Sequence, residues 1–228
     1  MSLKKLFSYI FVVFTILLVC MGVISFLLLK NLGHLENEQQ KRYLSYMAAD
    51  EFRQSSQDLT RLARTYASTG DPVYETMYND VIAVRSGKKA RPDGRTISLT
   101  QIMKDLGFTA EEFALLDEAY AKSKGLVATE VKAMNAVKGL FDDGSGHYVK
   151  GAEPNMSLAR ELMFNQQYHE HIKEIMTPVN QFFSRLDNRT KTSCDKLKAK
   201  ANLYMNMSIA IIVLIFMVLL KFKWVKMD

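Results

Sequence analysis

Two uncharged, mostly apolar runs, Leu6 to Leu29 and Leu203 to Leu220, bracket the chain and leave about three quarters of its 228 residues between them. As helices rising about 1.5 Å per residue they reach about 36 Å and about 27 Å, the scale of a bilayer core of about 30 Å. A chain anchored at both ends has few folds open to it, because the segment between the anchors must start and finish at the same membrane face.

Lys4 and Lys5 followed by an apolar stretch could also open a secretory signal. A signal core is about 7 to 15 residues long and ends at small side chains. Here the run continues through Phe26, Leu27, Leu28 and Leu29, which predicts an uncleaved anchor, and Val19 before Cys20 makes a poor lipoprotein site. Lysines flank the outer ends of both runs, at Lys4 and Lys5 and at Lys221, Lys223 and Lys226. By the positive-inside rule both termini are expected in the cytoplasm, with the central segment outside. The sequence therefore divides into a cytoplasmic start (1–5), a first span (6–29), an extracytoplasmic domain (30–202), a second span (203–220) and a cytoplasmic stub (221–228).

The net charge of +6 bears on nucleic-acid binding only if it sits on the folded domain. From Asn31 to Leu203 there are 24 Lys and Arg against 23 Asp and Glu, so the excess belongs to the membrane borders. The nucleic-acid reading loses its support. Cys20 lies in the first span and Cys194 shortly before the second, so no intrachain disulfide is expected. Cys194 reads either as a free thiol on a helix or as a link between two subunits.

Between the spans the periodicity is helical. Leu35, Gln39, Tyr43, Tyr46, Ala49, Phe52, Ser56, Leu59, Leu62 and Tyr66 recur at steps of three and four and predict a helix continuing out of the first span. It ends at Gly70-Asp71-Pro72, where Gly closes one helix while Asp caps and Pro begins the next. Tyr74, Tyr78, Val81 and Ile82 lie on that second helix, followed by a basic connector from Arg85 to Arg95. Leu99 to Leu106 form a short helix. Thr109 and Glu112 then make a capping box opening a helix with a heptad over Phe113, Leu116, Tyr120, Ser123, Val127, Glu130, Met134 and Val137. Asp142 to Gly146 read as a plain turn and no strand is expected. The last helix should begin near Pro154 and Asn155, carry Pro178 inside it and run into the second span. The expected fold is all-α, an antiparallel four-helix bundle whose first and last helices are continuous with the spans.

No catalytic constellation is present in the motifs: no phosphate-cradling loop, no HExxH, no nucleophile elbow, and no cofactor is expected. His169 and His171, two apart on a helix, face different ways and do not make a shared metal site. Arg85, Lys88, Lys89, Arg91 and Arg95 read as a solvated connector. Glu130 is the informative exception. In an apolar heptad its carboxylate either reaches solvent at the edge, pairs with a basic group such as Arg64, or contacts a ligand. Arg61 and Arg64, near Tyr66, Tyr74 and Tyr78 around the Gly70 corner, suit a small anionic ligand, because guanidinium takes carboxylate in a bidentate way.

Three stretches carry a resemblance: Asp58 to Pro92 (DLTRLARTYASTGDPVYETMYNDVIAVRSGKKARP), Leu99 to Ala136 (LTQIMKDLGFTAEEFALLDEAYAKSKGLVATEVKAMNA) and Ala159 to Thr190 (ARELMFNQQYHEHIKEIMTPVNQFFSRLDNRT). They resemble the N-terminal sensory region of bacterial methyl-accepting chemotaxis proteins, and similar input modules of sensor histidine kinases. The resemblance implies a homodimer in the inner membrane whose periplasmic domain senses a small molecule or another protein. It also implies a HAMP linker and a long cytoplasmic output after the second span, which this sequence does not carry. An N-terminal fragment or truncated receptor is the expectation, with a kinase input module or a stand-alone membrane adaptor as alternatives.

Overall fold

A computed structural model describes residues 3–151 and 153–227, and the side chains among these from residue 5 to residue 223. The helices are α1 (Leu3–Thr69), α2 (Pro72–Arg85), α3 (Leu99–Asp105), α4 (Ala110–Val137), α5 (Met156–Phe164) and α6 (Gln166–Met227). Two short strands, β1 (Leu140–Asp142) and β2 (Tyr148–Lys150), stand between α4 and α5. The backbone divides into two units, one of residues 1–42 with 189–228 and one of residues 43–188. The second is shorter at both ends than the 30–202 domain read from the sequence.

In the first unit, α1 and α6 each contain a stretch long and apolar enough to cross a membrane by length and composition. These stretches leave their apolar side chains uncovered: Phe11, Phe26, Leu29, Leu203, Ile212 and Phe216 are all exposed. Leu6 and Leu220, at the outer ends of the runs, lie within the same two helices. The helices touch where Asn31 Nδ2 donates to the carbonyl of Leu197 at 2.9 Å, and where the rings of Phe7 and Phe222 meet edge-on at 4.7 Å. Cys194 is a free thiol and only 1% exposed, so it offers no outward sulfur for a link to a second subunit.

The second unit holds the hydrophobic core. Its helix boundaries follow local chemistry. Gly70 adopts φ +71° and its N–H returns to the carbonyl of Tyr66 at 2.8 Å, ending α1. Asp71 then accepts from the N–H of Val73 at 3.0 Å with Pro72 at the first position of α2. The capping box at α4 forms as its sequence predicts, Thr109 and Glu112 each accepting from the other's backbone N–H. Leu62, Met103, Met163 and Phe182 are buried at the centre, and each such side chain taken from water contributes about 1.5–3 kcal/mol.

Three expectations need correction. The segment around Asp142 to Gly146 is the loop of an antiparallel β-hairpin, with Phe141 opposite Val149. Strands of three residues are too short to leave an alternation readable in sequence. The last helix is two helices, because Asn165 leaves helical geometry at ψ 165° and caps α6 by accepting from the N–H of Tyr168 at 2.8 Å. Pro178 is accommodated inside α6.

The α4 stripe is rotated from the one expected. The buried series is Glu112, Leu116, Ala119, Leu126, Glu130, Ala133, Met134, Ala136 and Val137, while Tyr120 is 63% exposed and Val127 39%. Both series share Leu116, Glu130, Met134 and Val137. They differ in which neighbour completes the repeat. Buried Ala119 and Leu126 stand one position before Tyr120 and Val127, which face outward.

Candidate functional site: a groove around a buried carboxylate

Within the second unit, α1, α2, α4 and α6 enclose an open groove of about 1000 Å³. Its apolar lining includes Leu59, Leu126, Val127, Ile172, Ile175 and Met176. Ser56, Thr60 and Arg64, four residues apart on α1, lie along one wall, since residues at that spacing share a helix face. Each meets a polar side chain from a different helix. Arg85 Nη1 on α2 donates to Ser56 Oγ at 3.3 Å, Thr60 Oγ1 donates weakly to Glu130 Oε1 on α4 at 3.5 Å, and Arg64 Nη2 lies 3.3 Å from His169 Nδ1 on α6.

Glu130 is 2% exposed, which rules out an edge position reaching solvent. Its carboxylate accepts from the Tyr78 hydroxyl at 2.9 Å and the Tyr168 hydroxyl at 2.8 Å. One acid on α4 thus ties α2 and α6 together. Burial raises its pKa above the ordinary carboxylate range, against the hydrogen bonds of Tyr168, Tyr78 and Thr60 and the charge of Arg64. Both tyrosine hydroxyls are pushed upward, by burial first and then by the neighbouring carboxylate, and stay protonated donors.

Arg64 is not the ion-pair partner of Glu130. Its Nε donates to the carbonyl of Met163 at 3.1 Å, and its guanidinium stacks 5.1 Å from the Phe164 ring and 5.0 Å from that of Tyr168. It acts on Glu130 through its charge. Arg61 also lines the groove, but it is exposed and holds Asp58 at 2.8 Å. Tyr66 and Tyr74 do not line it. Tyr66 is buried in the core, its hydroxyl pKa raised by burial and by Glu75, which also accepts from Lys138 Nζ at 2.7 Å; Tyr74 packs against the same core. Of the six ligand-site residues expected from sequence, Arg61, Arg64, Tyr78 and Glu130 are brought together and Tyr66 and Tyr74 are not.

The basic connector is not simply solvated. Arg91 is buried, its guanidinium on Glu51 of α1 and its backbone N–H on the carbonyl of Arg95 at 2.9 Å. Gly87 permits this path. It sits at φ +75°, and a Cβ there would fall 2.5 Å from the backbone nitrogen of Ser98. Lys89 pairs with Asp80 at 2.6 Å and Arg95 with Asp93 at 2.7 Å, as surface ion pairs do. Arg85 differs from these. It stacks 4.3 Å from the Phe52 ring, burial lowers its pKa, and among the described residues no carboxylate oxygen comes within 4.0 Å of it.

Sequence reasoning missed Thr60, Arg85 and Tyr168. Thr60 falls outside the apolar stripe of α1, Arg85 was grouped with the connector, and Tyr168 stands in the first turn of a helix whose start was placed too early. In the hairpin loop, Ser145 Oγ contacts both Asp143 Oδ1 at 2.5 Å and His147 Nδ1 at 2.8 Å. The serine is the middle member, whereas activating a serine requires the imidazole between it and the acid, so the cluster is a turn and not a nucleophile. Comparison with protein-family models, curated proteins and solved structures finds no match for this chain.

Proposed function

We propose that the chain is the membrane-anchored input module of a bacterial chemoreceptor. In this reading residues 43–188 form an antiparallel four-helix sensor bundle in the periplasm, and the two apolar stretches span the inner membrane with both termini in the cytoplasm. A small molecule or another protein is sensed there, and the active form is a homodimer. The observation that carries it is the continuity of α1 and α6, each a single helix containing both a span-like stretch and residues that line the groove. A helix that is both wall and anchor turns a change in the groove into a shift, tilt or rotation at the membrane. No step of bond chemistry is needed.

Topology is tested by substituted-cysteine labelling in intact bacterial cells with a membrane-impermeant maleimide, in a background lacking Cys20 and Cys194. Arg95→Cys should label from outside, and Lys5→Cys and Lys221→Cys only after lysis. Outside labelling at Lys5 or Lys221, or protection of Arg95→Cys until lysis, would overturn the orientation.

A further inference from the structure

We infer that the groove takes a free aliphatic carboxylate, its head on Arg85 and its chain along Leu59, Leu126, Ile172, Ile175 and Met176. This deepens the sensory reading and rests on it for its biological role, though binding can be measured without it.

Charge bookkeeping at this end of the groove selects the head group. Arg61 has Asp58, Lys89 has Asp80, and Glu51 holds Arg91. The field of Glu51 reaches Arg85, but one carboxylate then serves two guanidinium groups, and Arg85 is the cation left over. Among the described residues its guanidinium makes one hydrogen bond, to Ser56 Oγ, leaving most of its five N–H donors for a planar anion. Ser86, Thr100, Tyr120 and Ser123 line the same groove, the hydroxyls of Ser86 and Ser123 donating to the carbonyls of Ala83 and Tyr120.

The opposite charge fixes the orientation. Glu130, one helical turn along from Ser56 at the level of Thr60, repels a carboxylate head and leaves the region beyond Ser56 to the apolar chain. An aliphatic cation would instead meet Arg85, Arg64 and Arg61 around the one buried acid, whose oxygens are already held by Tyr78 and Tyr168. A short acid such as acetate would leave the apolar lining wet. The outward turn of Val127, a consequence of the rotated α4 stripe, extends that lining toward the groove surface.

Isothermal titration of the full chain in lipid nanodiscs, with empty nanodiscs as blank, tests this using octanoate, octan-1-ol, octylammonium and acetate. Octanoate should bind at least about ten-fold more tightly than the other three, as expected when a charge-assisted hydrogen bond and an apolar chain act together. Arg85→Gln should weaken octanoate about ten-fold and abolish its advantage over octanol. Val127→Asp, at an exposed position that tolerates substitution, should weaken octanoate with the helical circular dichroism unchanged, and serves if Arg85→Gln does not fold. Equal binding of octanol, unchanged affinity in either folded variant, or no octanoate heat at millimolar concentration would overturn the inference. So would a groove closed by a second copy, seen as dimers that bind no octanoate and that Val127→Asp dissociates. Cysteine labelling involves no octanoate, so failure of the topology and failure of the ligand class are read separately.

Discussion

The Tyr168 hydroxyl at the start of α6 donates to Oε1 of Glu130 on α4 at 2.8 Å, deep in the second unit. Tyr78 of α2 closes the other oxygen at 2.9 Å, so three helices share one buried acid. Hydrogen bonds to a charged group are worth about 1.5–3 kcal/mol each, and cooperative networks lose more than independent pairs when broken. Tyr168→Phe and Tyr78→Phe should each destabilise the chain by about 1–3 kcal/mol, and the double variant should depart from additivity. Thermal unfolding of the four proteins in nanodiscs checks this. Additive losses would mean that the tyrosines act independently.

The same acid sets a pH dependence. Its folded pKa is raised, chiefly by burial, while in the unfolded chain it ionises at the ordinary carboxylate value. A group that is harder to ionise when folded contributes stability that is fully present below the unfolded pKa and is lost as pH rises through the folded one. The groups facing it are Tyr78, Tyr168 and Thr60, with Arg64 acting through its charge. Wild type should therefore gain stability relative to Glu130→Gln as pH falls from about 8 to about 5. Unfolding temperatures of the two proteins across that range give the answer, and a constant gap would mean that Glu130 does not titrate between these limits.

The connector offers a contrast between arginines four residues apart. Arg91 is buried on Glu51, whereas Arg95 holds Asp93 in water. Arg91→Ala should cost about 1–3 kcal/mol, because Glu51 loses its partner while keeping partial access to solvent. Arg95→Ala should leave the unfolding temperature unchanged within error. Equal effects would show the buried pair to be without weight. Gly87→Ala should fall with Arg91→Ala, since both displace the same backbone path.

How much of this was legible beforehand follows from which signals are local. The Gly70-Asp71-Pro72 corner and the Thr109 capping box depend on residues within four positions of each other, and both appear as written in the sequence. Glu130 stood out because an acid in an apolar heptad needs a reason. Its partners did not stand out, because Tyr78 and Tyr168 are 52 and 38 residues away and nothing local marks their pairing. The rotation of α4 was hidden for another reason. Size favoured Tyr120 and Val127, but the neighbouring helices take Ala119 and Leu126 instead. Arg85 and Arg91 looked alike in a basic run and differ only through what the fold places beside each.

The central claim is that occupancy of the groove is passed along α1 and α6 to the apolar stretches. Spin labels at His34→Cys and Lys198→Cys, both exposed positions of the first unit, report the spacing of these helices when Cys20 and Cys194 are replaced by alanine. Double electron–electron resonance in nanodiscs should show the interlabel distance shifting by about 1–2 Å on saturation with octanoate, the scale of helix displacements in switching proteins, with no shift in Arg85→Gln. Identical distance distributions with and without octanoate, at concentrations where titration shows the groove filled, would contradict it.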